Sequence, residues 1–419
     1  MKKRARRHST SVLDTSAFRL EDDFYLADFD DSNVAEKPKE RPFRPSDPAL
    51  QDWAQKHRNT FLQALLWHDG RGSEDIKLCT RCNRAGHTAR YRCDDCFSQR
   101  LLCRECCVEV HGMLPLHIIQ QWDPSRGFFS KTSLKSLGLR VQLGHSAANT
   151  RCPKPMAAHA QFVVLHDNGV HDVAFDYCGC TGAEPEYLQL LRSRFFPATT
   201  QRPQTCATFT CLDRFHIFSL KPKTTAFDFY DSLERLTSGE GAKPLDRYRM
   251  LLRMAREWRH LLLLKRGGRF GYKSNEAENA APGELAILCP ACPRPGVNLP
   301  ADWRTAEPKD HCIYTQFFAL DACFQLKRRM VSSEARDPSL GPGFAFMVDA
   351  KPYREYLRSA TNKQEMSTCS GLKALEQANT KFSKGYAATG VGMVVCARHE
   401  FVLPNAVGDL QKGERRVKL

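Results

Sequence analysis

The sequence has no long hydrophobic run. No stretch approaches the ~18 to 20 consecutive apolar residues that a membrane helix needs. The basic start of the chain, residues 1–7, is not followed by the apolar segment of a secretory signal. The chain also shows no internal repeat. These absences predict a soluble protein that is neither secreted nor associated with a membrane.

The composition describes a basic, cysteine-rich chain. Its 419 residues include 62 Lys and Arg against 47 Asp and Glu, a net charge of +15, with 42% hydrophobic residues and 18 cysteines. At ~100 to 200 residues per domain this predicts two or three domains with buried cores. Reducing compartments disfavour disulfides, so several cysteines are expected to be metal ligands. The positive balance favours an acidic partner such as nucleic acid, although +15 over this length also fits a moderately basic surface.

Residues 1–76 have the composition of a disordered leader. The basic cluster Lys2, Lys3, Arg4, Arg6 and Arg7 is typical of a nuclear localisation signal, so we expect a nuclear protein. An acidic run and a proline-bearing stretch follow, and neither has an apolar period. Ordered structure is expected to begin with the amphipathic segment from Trp53 to Trp67.

Three segments carry clear secondary-structure patterns. Residues 162–166 and 170–177 flank Asp167-Asn168-Gly169, which predicts a β-hairpin with a type I′ Asn-Gly turn. Residues 185–196 form a predicted helix ended by Pro197. Residues 314–320 form a predicted buried strand that ends in Asp321.

A second helix is predicted over about residues 245–264. Its apolar residues recur at helical spacing, and Arg249, Arg253 and Arg256 lie on another face. An arginine stripe of this kind could follow DNA phosphates, or it could be an ordinary solvated helix face.

The strongest chemical pattern lies between residues 79 and 117. Three Cys-x2-Cys pairs precede two histidines, which gives eight ligands: Cys79, Cys82, Cys93, Cys96, Cys103, Cys106, His111 and His117. Four such ligands close one tetrahedral zinc site, so eight predict two structural Zn²⁺ ions with no open position for catalysis.

The short gaps between the pairs predict an interleaved cross-brace. The first and third pairs share one zinc, and the second pair joins both histidines on the other. The pattern resembles B-box and ZZ fingers more than RING fingers. Cys107 is left over and is expected to be structural. A rigid module of this kind binds a partner, either protein or DNA.

A series of further motifs resembles the cysteine-cluster region and transposase of Kyakuja-Dileera-Zisupton (KDZ) DNA transposons. The matching segments are Ser133–Leu139, His171–Cys180, Gln189–Thr199, Arg256–His260, Gly283–Pro293, Leu320–Arg328, Cys396–His399 and Gly408–Glu414. They occur in order over roughly residues 79–414.

The resemblance implies a transposase with an RNase H-like catalytic domain, in which two Asp and one Glu hold two divalent metals. Asp321 matches the first of these carboxylates, and residues 324–327 would form the returning second strand. The family places its second Asp and its Glu beyond Gly408–Glu414, and Asp349, Glu400 and Asp409 do not occupy those positions. We therefore expect a C-terminally truncated chain that is catalytically inactive by itself and binds Mg²⁺ or Mn²⁺ only if the catalytic domain is complete.

Two further zinc sites are possible. Cys289, Cys292, Cys396 and His399 could hold a third ion, with Cys369 as a spare ligand. Cys178 and Cys180 could join Cys206 and Cys211 on another, although the last two could equally be buried thiols.

Together these patterns predict a multidomain α+β protein. The expected parts are a disordered leader (1–76), a small zinc cross-brace finger (77–122), a mixed α/β cysteine-cluster domain (123–300) and an incomplete RNase H-like α/β domain (301–419). Two functions remain open at this point: a zinc- and DNA-binding transposase remnant, or a zinc-scaffolded protein-interaction or ubiquitin-ligase-type adaptor without a DNA role.

Overall fold

The computed structural model of the protein describes residues 47–72, 77–98, 100–145, 151–238, 243–273, 276–323, 326–330, 333, 335, 337–359 and 385–410. The predicted nuclear localisation cluster, the acidic run and Cys369 lie outside these residues. Among these residues, none of the helices combines the length and the apolar character that a membrane span requires.

The chain divides into two compact units, one up to Leu66 and one from Trp67. The described residues of the first unit are helical, with α1 (Pro48–Asp52), a π-helical turn (Trp53–His57) and the start of α2 (Arg58–Asp69). Helix α1 begins five residues before Trp53, because Asp47 Oδ1 accepts the N–H groups of Ala49 and Leu50 and a proline occupies the first helical position.

The second unit contains all of the strands in the described part of the chain. They are β1 (Tyr91–Cys93), β2 (Ile119–Asp123), β3 (Phe128–Thr132), β4 (Val141–Gln142), β5 (Pro155–Ala157), β6 (Val163–His166), β7 (Gly169–Asp172), β8 (Phe175–Cys178), β9 (Phe195–Pro197), β10 (Thr205–Thr208), β11 (Phe318–Cys323), β12 (Arg328–Arg329), β13 (Tyr386–Ala388), β14 (Gly390–Cys396) and β15 (Val402–Leu410). The remaining α-helices are α3 (Arg104–Val110), α4 (Glu186–Arg192), α5 (Phe209–Leu220), α6 (Ala226–Thr237), α7 (Tyr248–Arg266), α8 (His311–Tyr314) and α9 (Ala350–Ser359).

Strands β1, β2 and β3 form a small antiparallel sheet in that order. Ile119 of β2 is fully buried and packs with Cys93, Leu134 and Leu137 in one apolar cluster. The domain boundary predicted after residue 122 therefore falls within strand β2. This strand pairs with β3 and shares its apolar cluster with Leu134 and Leu137, all of which lie beyond the predicted boundary.

The described middle of the chain contains two sheets and the four helices α4 to α7. One sheet has the order β7-β6-β10-β9, with β6 and β10 parallel, and the other has the order β4-β8-β5. Helices α5, α6 and α7 contribute to an apolar cluster on the first sheet, whereas Phe162, Phe175 and Tyr177 belong to a second cluster. Val173, Phe175 and Tyr177 are all buried in this second cluster, as their alternation predicts.

Two elements of this region differ from the prediction. Strands β6 and β7 form the predicted hairpin, but its loop is Asp167-Asn168 and Gly169 is the first residue of β7, so the predicted type I′ Asn-Gly turn is wrong. Here the loop side chains bind elsewhere: Asp167 pairs with Arg214, and Asn168 donates to the carbonyl of Leu116.

The predicted helix over residues 185–196 is also too long. It ends at Arg192, because Arg194 takes a φ of 63° and Phe195–Pro197 pairs with β10. Proline is tolerated there since β9 is the edge strand of its sheet.

The C-terminal sheet has the order β11-β14-β15 and is antiparallel throughout. Asp321 lies inside β11 rather than at its end, and the strand is largely exposed, so the predicted buried strand over residues 314–320 is wrong. Its antiparallel neighbour is β14, not residues 324–327, of which 324 and 325 lie outside the described ranges. Helix α9 contacts this sheet through the Tyr353 hydroxyl, which donates to the carbonyl of Asp409 at 3.1 Å.

Candidate metal centres

The first cysteine cluster joins a turn to the start of a helix. Cys79 and Cys82 lie on a turn closed by the Asn83 N–H, which donates to the carbonyl of Cys79, while Cys103 is the N-cap of α3 and Cys106 lies in its first turn. The four sulfurs lie within 4.8 Å of one another, and Cys82 Sγ is 3.9 Å from Cys103 Sγ.

The second cluster consists of Cys93, Cys96, His111 and His117, whose ligand atoms also lie within 4.8 Å of one another. Nδ1 of His117 is 3.3 Å from Cys93 Sγ and 3.5 Å from Cys96 Sγ, and Nε2 of His111 is 3.5 Å from Cys96 Sγ. The structure thus groups the eight residues in the two sets that the cross-brace prediction pairs.

Hydrogen bonding selects the ligand nitrogen of His111. Its Nδ1 lies 2.7 Å from the carbonyl oxygen of Cys107, one turn earlier on the chain. A histidine that donates one ring N–H to a carbonyl presents the other nitrogen as an oriented electron-pair donor. Cys107 itself is buried in the apolar cluster beside β2 and belongs to neither set, as its leftover position predicts.

Crowded thiols in the first two clusters have opposed pKa shifts. Burial would raise the pKa of Cys79, but hydrogen bonds from the backbone of Cys103, Cys82 and Arg81 outweigh it and lower the pKa to about 6. Burial raises the pKa of Cys93 to about 12. Metal binding would release the protons of these thiols, with one ion bound by the four sulfurs of the first cluster and another by the two sulfurs and two imidazoles of the second.

A third cluster contains His145, Cys152, Cys178 and Cys180. Cys152 Sγ lies 3.6 Å from the sulfurs of both Cys178 and Cys180. Gly179 between them allows the close approach, because a Cβ there would lie 2.9 Å from the Lys154 carbonyl oxygen, which accepts the Gly179 N–H.

The proposed partnership of Cys178 and Cys180 with Cys206 and Cys211 is wrong. Cys206 lies in β10 and Cys211 in α5, and both are fully buried in apolar clusters away from the metal-ligating group. Burial raises the pKa of both thiols. Sequence reasoning missed His145 and Cys152 because they are single residues without a paired spacing. Their only sequence signal was an unassigned His and Cys shortly before the Cys-x-Cys motif.

The fourth cluster joins two distant pairs, Cys289 and Cys292 with Cys396 and His399. Cys292 Sγ lies 3.0 Å from Cys396 Sγ, and Cys289 Sγ lies 3.4 Å from His399 Nδ1. The hydrogen bond between the two sulfurs lowers the pKa of Cys396 to about 6 and raises that of Cys292 to about 12. All three cysteines are buried.

The ligand types of all four clusters, and the sulfur spacing of the first and third, fit zinc. Two sulfurs held ~2.3 Å from one tetrahedral ion lie about 3.8 Å apart, which is close to the sulfur separations of 3.6 to 3.9 Å in the first and third clusters. Each cluster offers four thiol or imidazole ligands and no carboxylate. Such closed sets are typical of structural zinc rather than of catalytic sites.

Asp321, by contrast, stands apart from other ligands. Its side chain is exposed, and within the described ranges its Oδ1 accepts only the N–H of Ala322, at 2.7 Å. Among the described residues, none of the clusters that could hold a metal includes Asp321.

The three arginines of the predicted stripe have different surroundings on α7. Arg256 forms an ion pair with Asp337, and Arg253 donates to the Ala198 carbonyl at 3.4 Å. Arg249 is exposed and lines a cavity at the start of the helix. The structure thus separates them rather than placing them on one uniform surface.

Two family models match the chain. The CxC2-like cysteine cluster associated with KDZ transposases matches residues 134–241, and the Kyakuja-Dileera-Zisupton transposase matches residues 314–419. No curated protein and no solved structure matches. The first match contains the whole third cluster, and the second contains Asp321 and half of the fourth cluster. The chain is therefore a KDZ transposase-like protein that carries a CxC2-like cysteine cluster.

Proposed function

We propose that this protein is a DNA-binding member of the KDZ transposase group whose fold depends on four structural Zn²⁺ ions. The observation that carries the proposal is the presence of both family matches on a chain whose described residues gather four closed Cys/His clusters. The ions would fix the turns and strand ends that supply the ligands and would have no catalytic role, because no coordination position is open.

DNA is the partner that the family and the charge favour. The chain carries a net charge of +15, and phosphate contacts from Arg and Lys supply most of sequence-independent DNA affinity. The basic cluster at residues 2–7 supports a nuclear location for this activity.

The sheet β11-β14-β15 supports an RNase H-like arrangement with Asp321 on its first strand. Two divalent metals need several carboxylates, and the described residues bring no second one to Asp321. We therefore expect this polypeptide alone to bind DNA without cutting or joining it, and Mg²⁺ or Mn²⁺ to bind Asp321 only weakly.

Salt dependence tests the DNA-binding proposal. The full chain, loaded with zinc, is titrated into fluorescently labelled duplex DNA at several salt concentrations. We expect log affinity to fall linearly with log salt, with a slope of about −0.9 per phosphate contacted. Binding that is absent, or unaffected by salt, would overturn the proposal.

A nicking assay with supercoiled plasmid and Mg²⁺ tests catalytic incompleteness, with Asp321→Asn as the control. Equal background for both proteins is expected. If the wild-type chain nicks the plasmid and Asp321→Asn does not, the proposal of catalytic incompleteness is contradicted.

A second candidate function is that of a protein-interaction adaptor. Phe97, which follows the second Cys pair, is fully exposed, and Met113 between the two histidine ligands is 89% exposed. Exposed apolar side chains on a rigid zinc module favour a protein partner. Binding of a panel of purified ubiquitin-conjugating enzymes to the wild type and to Phe97→Ala tests the adaptor function. We expect an enzyme of the panel to bind the wild type more tightly than the variant. If none binds the wild type, the protein is not a ubiquitin-ligase-type adaptor.

A further inference from the structure

A cavity of about 450 Å³ lies between the loop that joins β9 to β10 and the start of α7. The loop contributes Thr199, Gln201, Arg202 and Gln204, and the helix end contributes Asp246, Arg247, Arg249 and Met250; Ala198 and Thr205 complete the lining. It is distinct from all four cysteine clusters and from Asp321.

Its charge is strongly one-sided. Three guanidinium groups, Arg202, Arg247 and Arg249, face one carboxylate, Asp246. That carboxylate already accepts the N–H of Tyr248 at 2.8 Å. Within the described part of the chain, none of the three arginines forms an ion pair with an acidic side chain.

One of these arginines has a buried donor without an acceptor. Nε of Arg247 is inaccessible to solvent and has no hydrogen-bond partner among the described residues, although the Nη1 of the same residue donates to the Asp246 carbonyl. Buried donors in native proteins are almost always satisfied, so protein acceptors among the described residues leave the Arg247 guanidinium incompletely hydrogen-bonded.

The cavity walls are held in place by the fold. The Arg247 N–H donates to the Tyr230 hydroxyl at 2.6 Å, which fixes the start of α7 against α6. On the other side, the Ala198 N–H donates to the Thr205 carbonyl, and Arg202 takes a φ of 43° at the loop. The arginines are therefore presented by two anchored segments, with neutral donors from Gln201 and Gln204 beside them.

We propose that this cavity binds a phosphate group of the DNA backbone. Guanidinium groups match phosphate oxygens in charge and geometry, because their N–H donors form a planar fork. The inference rests on the proposed DNA-binding function and adds its contact site: Arg202, Arg247 and Arg249 hold the phosphate, whereas Arg256 is already neutralised by Asp337.

The test compares the zinc-loaded full-length wild type with R202Q/R249Q in the same DNA titration. We expect a loss of about tenfold in affinity at low salt and a salt slope that is shallower by about 0.9 per lost phosphate contact. R235Q is the control, because Arg235 is 80% exposed on α6 and pairs with Asp231, so removing its charge should change neither value.

A second variant covers the possibility that the double variant fails to fold. Q201E adds a negative charge to the exposed cavity rim and removes no side-chain hydrogen bond of the described residues, and Q161E on an exposed loop is its control. Q201E should weaken DNA binding several-fold more than Q161E. Equal affinities for Q201E and Q161E would overturn the assignment.

The outcomes separate this inference from the proposed function. If the wild type binds DNA with a steep salt slope and R202Q/R249Q behaves like R235Q, the cavity is not the contact site while the DNA-binding function stands. If the wild type does not bind DNA, the function itself fails. Calorimetry with inorganic phosphate identifies a third outcome: phosphate binding that R202Q/R249Q abolishes, with DNA affinity unchanged, would assign the cavity to a free phosphate and overturn the backbone contact.

Discussion

The two histidines of the cross-brace present different ring nitrogens, and neighbouring backbone decides which. His111 uses Nε2 because its Nδ1 faces the Cys107 carbonyl, whereas His117 places Nδ1 next to Cys93 and Cys96. Residue spacing predicted the four ligands of each set but could not predict the nitrogen. That choice depends on a hydrogen bond formed only when α3 has folded.

Adjacent cysteines on α3 allow a matched test of ligand assignment. Cys106 belongs to the first cluster and Cys107 to none, yet both are buried. We expect Cys106→Ser to lower the zinc content, measured by mass spectrometry of the purified protein, by about one ion per chain, because a serine cannot replace a thiolate ligand. Cys107→Ser should keep the wild-type zinc content. Equal zinc loss in both variants would contradict the assignment.

At the scale of elements, Gln189 connects α4 to the strand that carries the third cluster. Its Oε1 accepts the N–H of Cys178 at 2.8 Å, and its Nε2 donates to the carbonyls of Cys178 and Glu184. The side chain is 1% exposed. A single glutamine therefore holds the backbone of one ligand in position from a neighbouring helix.

Replacing Gln189 with Met should destabilise the fold by about 1 to 3 kcal/mol, because it leaves buried backbone groups at Cys178 without partners. The free energy of unfolding in urea measures this effect. Arg192→Gln on the same helix is the control and should change it by no more than about 0.5 kcal/mol, since Arg192 is 75% exposed. A Q189M variant as stable as R192Q would show that the three hydrogen bonds contribute nothing.

The sequence predicted elements well where patterning was local. The helix over 245–264 and the alternating burial of Val173, Phe175 and Tyr177 follow from periodicity. At β9 the prediction failed because Pro197 was read as the end of a helix, whereas an edge strand accommodates proline. At β11 it failed because the partner strand β14 lies some seventy residues further along the chain. Likewise, paired spacing predicted three of the four Cys/His clusters found in the described part of the chain, while His145 and Cys152 needed the fold to bring them together.

At the scale of the whole molecule, a buried histidine links stability to pH. His171 Nε2–H donates to Asn168 Oδ1, and Asn168 Nδ2 donates to the Leu116 carbonyl near the cross-brace. Burial, aided by His166 and opposed by Asp95 and Asp167, lowers the pKa of His171 to about 4. The folded protein therefore holds this ring neutral where the unfolded chain would protonate it.

The consequence is a loss of stability in acid. Above the unfolded-state pKa of ~6.5, the neutral ring of His171 leaves the free energy of unfolding at its full value. As the pH falls toward 4, the unfolded chain binds a proton that the folded protein does not, and the free energy of unfolding falls by about 3 kcal/mol in total. His171→Gln keeps a donor for Asn168 and removes the titration, so its free energy of unfolding should fall less steeply between pH 6.5 and 4. Zinc release in acid affects both proteins and cancels in the difference. Parallel curves would contradict the prediction.

An ion bound by the fourth cluster would crosslink two distant parts of the chain. Its ligands Cys292 and Cys396 are 104 residues apart, so an ion that holds both closes a loop of that length. For a covalent crosslink, closing ~100 residues removes unfolded-state entropy worth about 4.7 kcal/mol. Because this entropy grows only with the logarithm of length, doubling the loop would add about 0.6 kcal/mol. The stretch between the two ligand pairs can therefore gain or lose residues at little cost to the crosslink, while loss of the ion would free the whole segment at once.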